Sequence, residues 1–131
     1  MRMFTVAEAR AALPRVIPIL QTLSETITTL QAFEQHVYAE RQLTRSNGHS
    51  RHDGFEAQPE RPPAAALQEQ IQALAAELAQ IGVEIKDPIR GLIDFYSERD
   101  GETVFLCFLL GEDDIRYWHT IEGGFAGRRP L

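Results

Sequence analysis

The sequence predicts an α+β domain: an antiparallel helical hairpin, with a short N-terminal helix, packed on a four-stranded antiparallel β-meander. Three observations carry that expectation. Apolar residues recur at helical spacing as far as Ile81. After Gly82 the period changes to two. Asp100-Gly101 and Gly111–Asp114 then punctuate the strands with turn residues. A chain of 131 residues fits one domain with a core of its own.

Thr5-Val6-Ala7-Glu8 matches a capping box, in which a hydroxyl and a carboxylate three residues on satisfy exposed N–H groups reciprocally. A short helix from Val6 to Ala12 is expected behind it. Pro14 lacks an N–H and restricts Leu13, so a break is expected there, with Pro14 opening a new helix and Pro18 kinking it. Val16, Leu20, Leu23, Ile27, Leu30 and Val37 then mark a long amphipathic helix to about Thr44. Residues 46–62 are polar and rich in Gly and Pro, and read as a flexible loop. Leu67, Ile71, Leu74, Leu78 and Ile81 alternate spacings of four and three, which predicts a second helix over Pro63–Ile81 ended by Gly82 in a left-handed cap. Strands are expected at Val83–Lys86, Gly91–Tyr96, Glu102–Leu110 and Ile115–Thr120, followed by an irregular tail.

Composition narrows the function classes. The formal net charge is −6, and residues 83–131 carry ten acidic against six basic side chains. Nucleic-acid binding is therefore not expected, since it calls for a basic field. No apolar run approaches the roughly 20 residues of a bilayer span, and Met1–Thr5 precede no signal-type apolar segment. The single Cys107 has no disulfide partner within the chain, and the cytoplasm is the expected compartment. A long helix of about 45 Å beside one of about 28 Å leaves Phe33–Val37 without a partner. Glu102–Leu110, apolar on both faces, needs cover on both. Both arguments point toward a homodimer, although the tail alone could supply the second cover.

The candidate functional residues cluster near the C-terminus. A tight turn at Asp100-Gly101 places Asp94 opposite Cys107 and Tyr96 opposite Phe105. A turn centred on Glu112-Asp113 places Cys107 opposite Trp118 and Leu106 opposite His119. That register puts Asp94 and Cys107 on one face and His119 on the other. It pairs Asp94 with Arg116 and gives His119 the neighbours Tyr117 and Glu122. A ligand or anion site would then use Tyr117, His119, Glu122 and Arg128, with the Gly123-Gly124 backbone as an N–H nest. Against it stands a plainer arrangement, Phe125 plugging an apolar hole while the arginines pair with the acidic turns. A divalent metal could sit on Glu112, His119 and Glu122, but the spacing is no ligand signature, and a hydrogen-bonded strand histidine is the commoner case. His49, His52 and Asp53 could also hold a metal, with a solvated tether the stronger expectation. Cys107 reads as an inert small hydrophobe. No P-loop and no dinucleotide glycine pattern is present.

The segments Gly82–Asp87, Arg90–Phe95, Arg99-Asp100-Gly101, Leu106-Cys107, Gly111-Glu112, Tyr117-Trp118-His119 and Gly123–Arg128, with Phe4–Ala9 and Leu13-Pro14 at the start, resemble an uncharacterised bacterial family. It is numbered 2203 among domains of unknown function. The resemblance implies that Arg90, Asp94, Glu112, Tyr117, Trp118, His119 and Arg128 occupy motif positions, and it carries no activity with it. Residues 46–62 depart from the pattern as an insertion. The leading expectation is a non-enzymatic interaction module working through its helices. A small-molecule or anion-binding domain is the alternative, and a metal-dependent enzyme the least expected. No cofactor is implied beyond that minority case of a divalent metal, and no small-molecule ligand is identified.

Overall fold

The computed structural model describes residues 1–47 and 63–131. The loop expected at 46–62, with His49, His52 and Asp53, falls outside them apart from Ser46 and Asn47. The elements are α1 (Val6–Asn47), α2 (Pro63–Ile81), β1 (Val83–Asp87), β2 (Leu92–Arg99), β3 (Glu102–Leu109), β4 (Tyr117–Thr120), a 3₁₀ turn (Phe125–Gly127) and β5 (Arg129–Pro130). The strands form one antiparallel sheet in the order β1-β2-β3-β4-β5. The α+β class and the meander hold. The sheet has five strands where four were expected, because Arg129 and Pro130 of the tail pair with Trp118 and Tyr117.

The capping box forms as expected: Thr5 Oγ1 accepts from the Glu8 N–H at 3.0 Å, and Glu8 accepts from the Thr5 N–H at 2.8 Å. The break expected at Pro14 does not occur, and α1 runs through both prolines. Pro14 and Pro18 lie four residues apart, and both are exposed, away from the buried stripe. The opposite side buries Ala9, Leu13, Val16, Leu20 and Leu23. Apolar burial of that continuity, at roughly 2 kcal/mol per large side chain, outweighs about 3 kcal/mol for each proline.

α1 crosses the sheet. Arg10 donates twice to the Ile115 carbonyl, at 3.2 and 2.9 Å, and Ser24 donates to the Ile89 carbonyl at 2.6 Å. Phe4 lies along β2 just beyond the start of β1: its N–H bonds the Tyr96 carbonyl at 2.7 Å and its carbonyl accepts from the Ser97 hydroxyl at 2.6 Å. β2 itself runs on to Arg99 through its pairing with β3, Ser97 facing Val104 and Arg99 facing Glu102. Phe4 meets Phe95 edge to face at 4.9 Å. The core unites the α1 stripe, Leu78 and Ile81 of α2, and Ile93, Phe95, Leu106, Phe108 and Ile115 of the sheet layer. At the far end Phe33 and Val37 are half-buried and share a groove with Ala64 of α2, so α2 begins alongside the segment expected to stand alone. No helix among the described residues is long and apolar enough to cross a membrane.

Candidate functional site

The connection between β3 and β4 decides what the second face of the sheet presents. The β2–β3 turn has Asp100 and Gly101 both at positive φ, 53° and 81°, the geometry of a two-residue hairpin. It sets Asp94 opposite Cys107 and Tyr96 opposite Phe105, as expected. The next turn is tighter than a symmetric one on Glu112-Asp113. Gly111 lies at φ 106°, the Glu112 N–H bonds the Leu109 carbonyl at 3.0 Å, and the Glu112 carboxylate accepts from the Leu109 N–H at 2.8 Å. The pairing becomes Phe105 with His119, Leu106 with Trp118 and Cys107 with Tyr117. That is one residue away from the expected register, and one residue turns every β4 side chain over. His119 and Tyr117 therefore join Asp94 and Cys107, while Trp118 packs against the helix-side core. The expected separation of His119 from Asp94 is overturned. So is the match of Asp94 with Arg116, which instead holds Asp113 through two bonds of 2.8 Å.

Asp94, Cys107 and His119 come from three adjacent strands and are 1%, 0% and 2% exposed. His119 Nε2 lies 3.1 Å from both carboxylate oxygens of Asp94, and Nδ1 lies 2.8 Å from the Thr120 carbonyl. A carbonyl can only accept, so Nδ1 carries a proton. Nε2 then faces Asp94 across one shared proton, carried by the ring or by the carboxyl. Burial pushes the Asp94 carboxyl upward, and this outweighs the opposing pull of His119. Burial, with the Asp94 charge adding to it, pushes the Cys107 thiol up to about 12. The thiol is thus held protonated beside Asp94 and is no nucleophile.

A cavity of about 210 Å³ opens against this pair. Lys86, Leu92, Asp94, Phe105, His119, Ile121, Gly124 and Phe125 line it. The Lys86 ammonium lies 4.4 Å from the Phe105 ring centroid and 3.8 Å from Glu84. The tail roofs the face. Gly124 at φ 63° leads into the 3₁₀ turn that brings Phe125 over the sheet. The tail thus supplies the second cover that β3 requires.

Of the four side chains expected to bind a ligand, His119 alone lines the cavity, joined by Gly124 of the expected backbone nest. Tyr117 lies beneath Arg128, whose guanidinium is 4.1 Å from its ring centroid and 4.7 Å from that of Phe125. Arg128 is ion-paired with Glu112 at 2.7 Å, and its Nε is buried without a hydrogen-bond partner. Arg128 thus pairs with an acidic turn residue, as the plainer arrangement has it for the tail, but with Glu112, since Asp113 and Asp114 are taken by Arg116 and Arg10. Glu122 is exposed. Glu112, His119 and Glu122 are not brought together. Among the described residues Asp94, Cys107 and His119 alone form a group of three metal-ligating side chains, with ligand atoms within 4.8 Å of one another. Lys86 and Phe105 were missed as site residues. The signal that could have found the arrangement is Gly111, since a left-handed glycine beside a strand end marks a turn that shifts register.

No curated protein and no solved structure matches this chain. The model of an uncharacterised conserved protein family, DUF2203, matches residues 2–131, nearly the whole chain, and the chain belongs to that family.

Proposed function

We propose that this chain is a small-molecule-binding domain whose ligand occupies the cavity on the second face of the sheet. One observation carries the reading: a cation, a buried hydrogen-bonding pair and two aromatic rings converge on one concave space. At about 210 Å³ the space suits a small metabolite or one end of a larger one. An anionic group would meet Lys86, an apolar portion would lie against Phe105 and Phe125, and a hydroxyl or carbonyl would reach the Asp94–His119 pair. Lys86 takes the role expected of Arg128, which Glu112 already engages. Binding without covalent chemistry is in keeping with a thiol held protonated, and a lone buried thiol suits a reducing, cytoplasmic setting. Thermal-shift screening against small carboxylates and phosphates tests the reading. A ligand at 100 times its Kd should raise Tm by roughly 10 °C, and Lys86→Ala should remove the shift. If no compound moved Tm or the amide resonances around Asp94 and His119, the reading would be wrong.

A second reading, docking or homodimerisation through the helices, is favoured by the open groove of Phe33, Val37, Tyr38 and Ala64, where Tyr38 is 65% exposed. Light scattering at high micromolar concentration should then give a dimer that Val37→Glu dissociates. A monomer unaffected by the substitution excludes the homodimer.

A further inference from the structure

We propose that Asp94, Cys107 and His119 form a transition-metal site on the floor of the cavity, with zinc the ion that fits it best. The ion's open position would face the cavity proposed above as a ligand site, and the proposal deepens that reading. The ion itself needs no ligand to bind, so the two fail separately.

The donor set comes first. Thiolate, imidazole and carboxylate together suit zinc and its spectroscopic surrogate cobalt, while magnesium and calcium prefer oxygen alone. Spacing comes next. Tetrahedral ligands at 2.0–2.3 Å from an ion lie roughly 3.3–3.7 Å from one another. His119 Nε2 and Asp94 are 3.1 Å apart, and all three donor atoms lie within 4.8 Å. Entry of an ion requires the nitrogen–oxygen contact to open by a few tenths of an ångström and the sulfur to swing inward. Three strands fix the three ligands: Asp94 is the ladder partner of Cys107, and His119 that of Phe105, two residues before Cys107.

The surroundings agree with this assignment. The Thr120 carbonyl accepts from Nδ1 at 2.8 Å, which leaves Nε2 as the nitrogen directed into the site, the usual outer support of a metal-bound histidine. Binding releases two protons to solvent, that of the Cys107 thiol and the one shared by Nε2 and Asp94; the ion with one thiolate and one carboxylate is then neutral overall, so the buried site gains no net charge. Three protein ligands leave a fourth position, and the cavity lined by Asp94 and His119 gives it an opening.

The test uses the full chain, stripped with a chelator and titrated with Co²⁺ and then Zn²⁺. The expected result is one equivalent of Co²⁺ giving a thiolate-to-cobalt charge-transfer band and tetrahedral visible bands, displaced by Zn²⁺. Cys107→Ser should abolish the charge-transfer band, and Asp94→Asn should weaken binding at least about tenfold. Circular dichroism must show both variants folded. His49→Ala/His52→Ala should bind as the parent does. The proposal is overturned if the parent shows no cobalt spectrum and retains no zinc through gel filtration. It is equally overturned if the folded Cys107→Ser and Asp94→Asn variants bind like the parent. Either result leaves a purely hydrogen-bonded buried cluster. A screen of the metal-free protein still tests the ligand cavity independently.

Discussion

His119 answers two needs at once: its Nε2 satisfies the buried Asp94 carboxylate, and its ring lines the cavity. Truncating it leaves a buried carboxyl without its main partner, together with a void. His119→Ala should therefore destabilise the fold by roughly 3–5 kcal/mol in urea denaturation. A loss below 1 kcal/mol would mean that the pair contributes little. Asp113 is a contrasting surface case. Hydrogen bonding from Arg116, with its charge behind it, holds the Asp113 carboxyl at about 2 against an ordinary 3.8. A folded-state value that is lowered means that the contribution to stability is present above about pH 4 and lost as pH falls toward 2. NMR titration should show Asp113 with a midpoint near 2, returning to the ordinary range in Arg116→Ala. Both side chains are exposed, so Tm near neutral pH should hardly change.

The elements derive from local rules that their own residues express. Thr5 and Glu8 start α1, the Leu67–Ile81 stripe makes α2, and Gly82 at φ 109° ends it by donating to the Leu78 and Ala79 carbonyls at 3.1 Å. The β1–β2 turn is held by Asp87, whose carboxylate accepts from the Ile89 and Arg90 N–H groups at 3.1 Å. Gly91 closes it at φ 76°, and a Cβ there would lie 2.3 Å from Leu110. Gly91→Ala combines a disfavoured backbone with a clash and should cost about 2–3 kcal/mol. Hydrogen exchange should show the loss spread through β1 and β2. Where element prediction failed, at Pro14 and in the tail, local rules gave the wrong answer for a tertiary reason. A buried stripe carries α1 across its prolines, and a two-residue strand exists only because the β4 edge is present to pair with it.

Across the whole molecule, α1 is the element the rest packs on. Its first half covers the sheet and its second half runs with α2, and Leu20 and Leu23, both essentially fully buried, lie within one core with Leu78 and Phe108. Leu20→Ala should cost roughly 3–4 kcal/mol. Coincident transitions by circular dichroism and Trp118 fluorescence would show helices and sheet unfolding as one unit. Separate transitions would divide the chain into two folding units.

The sequence by itself determined the α+β class, both long-helix cores, the β2–β3 register and the family. Each of these rests on periodicity, a cap or a two-residue turn, whose causes lie within a few residues of their effects. Only the tertiary structure decided that Asp94, Cys107 and His119 meet. Their meeting depends on one residue of register at Gly111-Glu112, where the Glu112 carboxylate bonds back to Leu109. The cavity before them depends on a tail that folds over the face, bringing Phe125 into the wall beside Lys86. Strand alternation has a period of two, so a single residue is the smallest change that moves a side chain to the opposite face. Composition and spacing do not encode that parity. The geometry of one turn does.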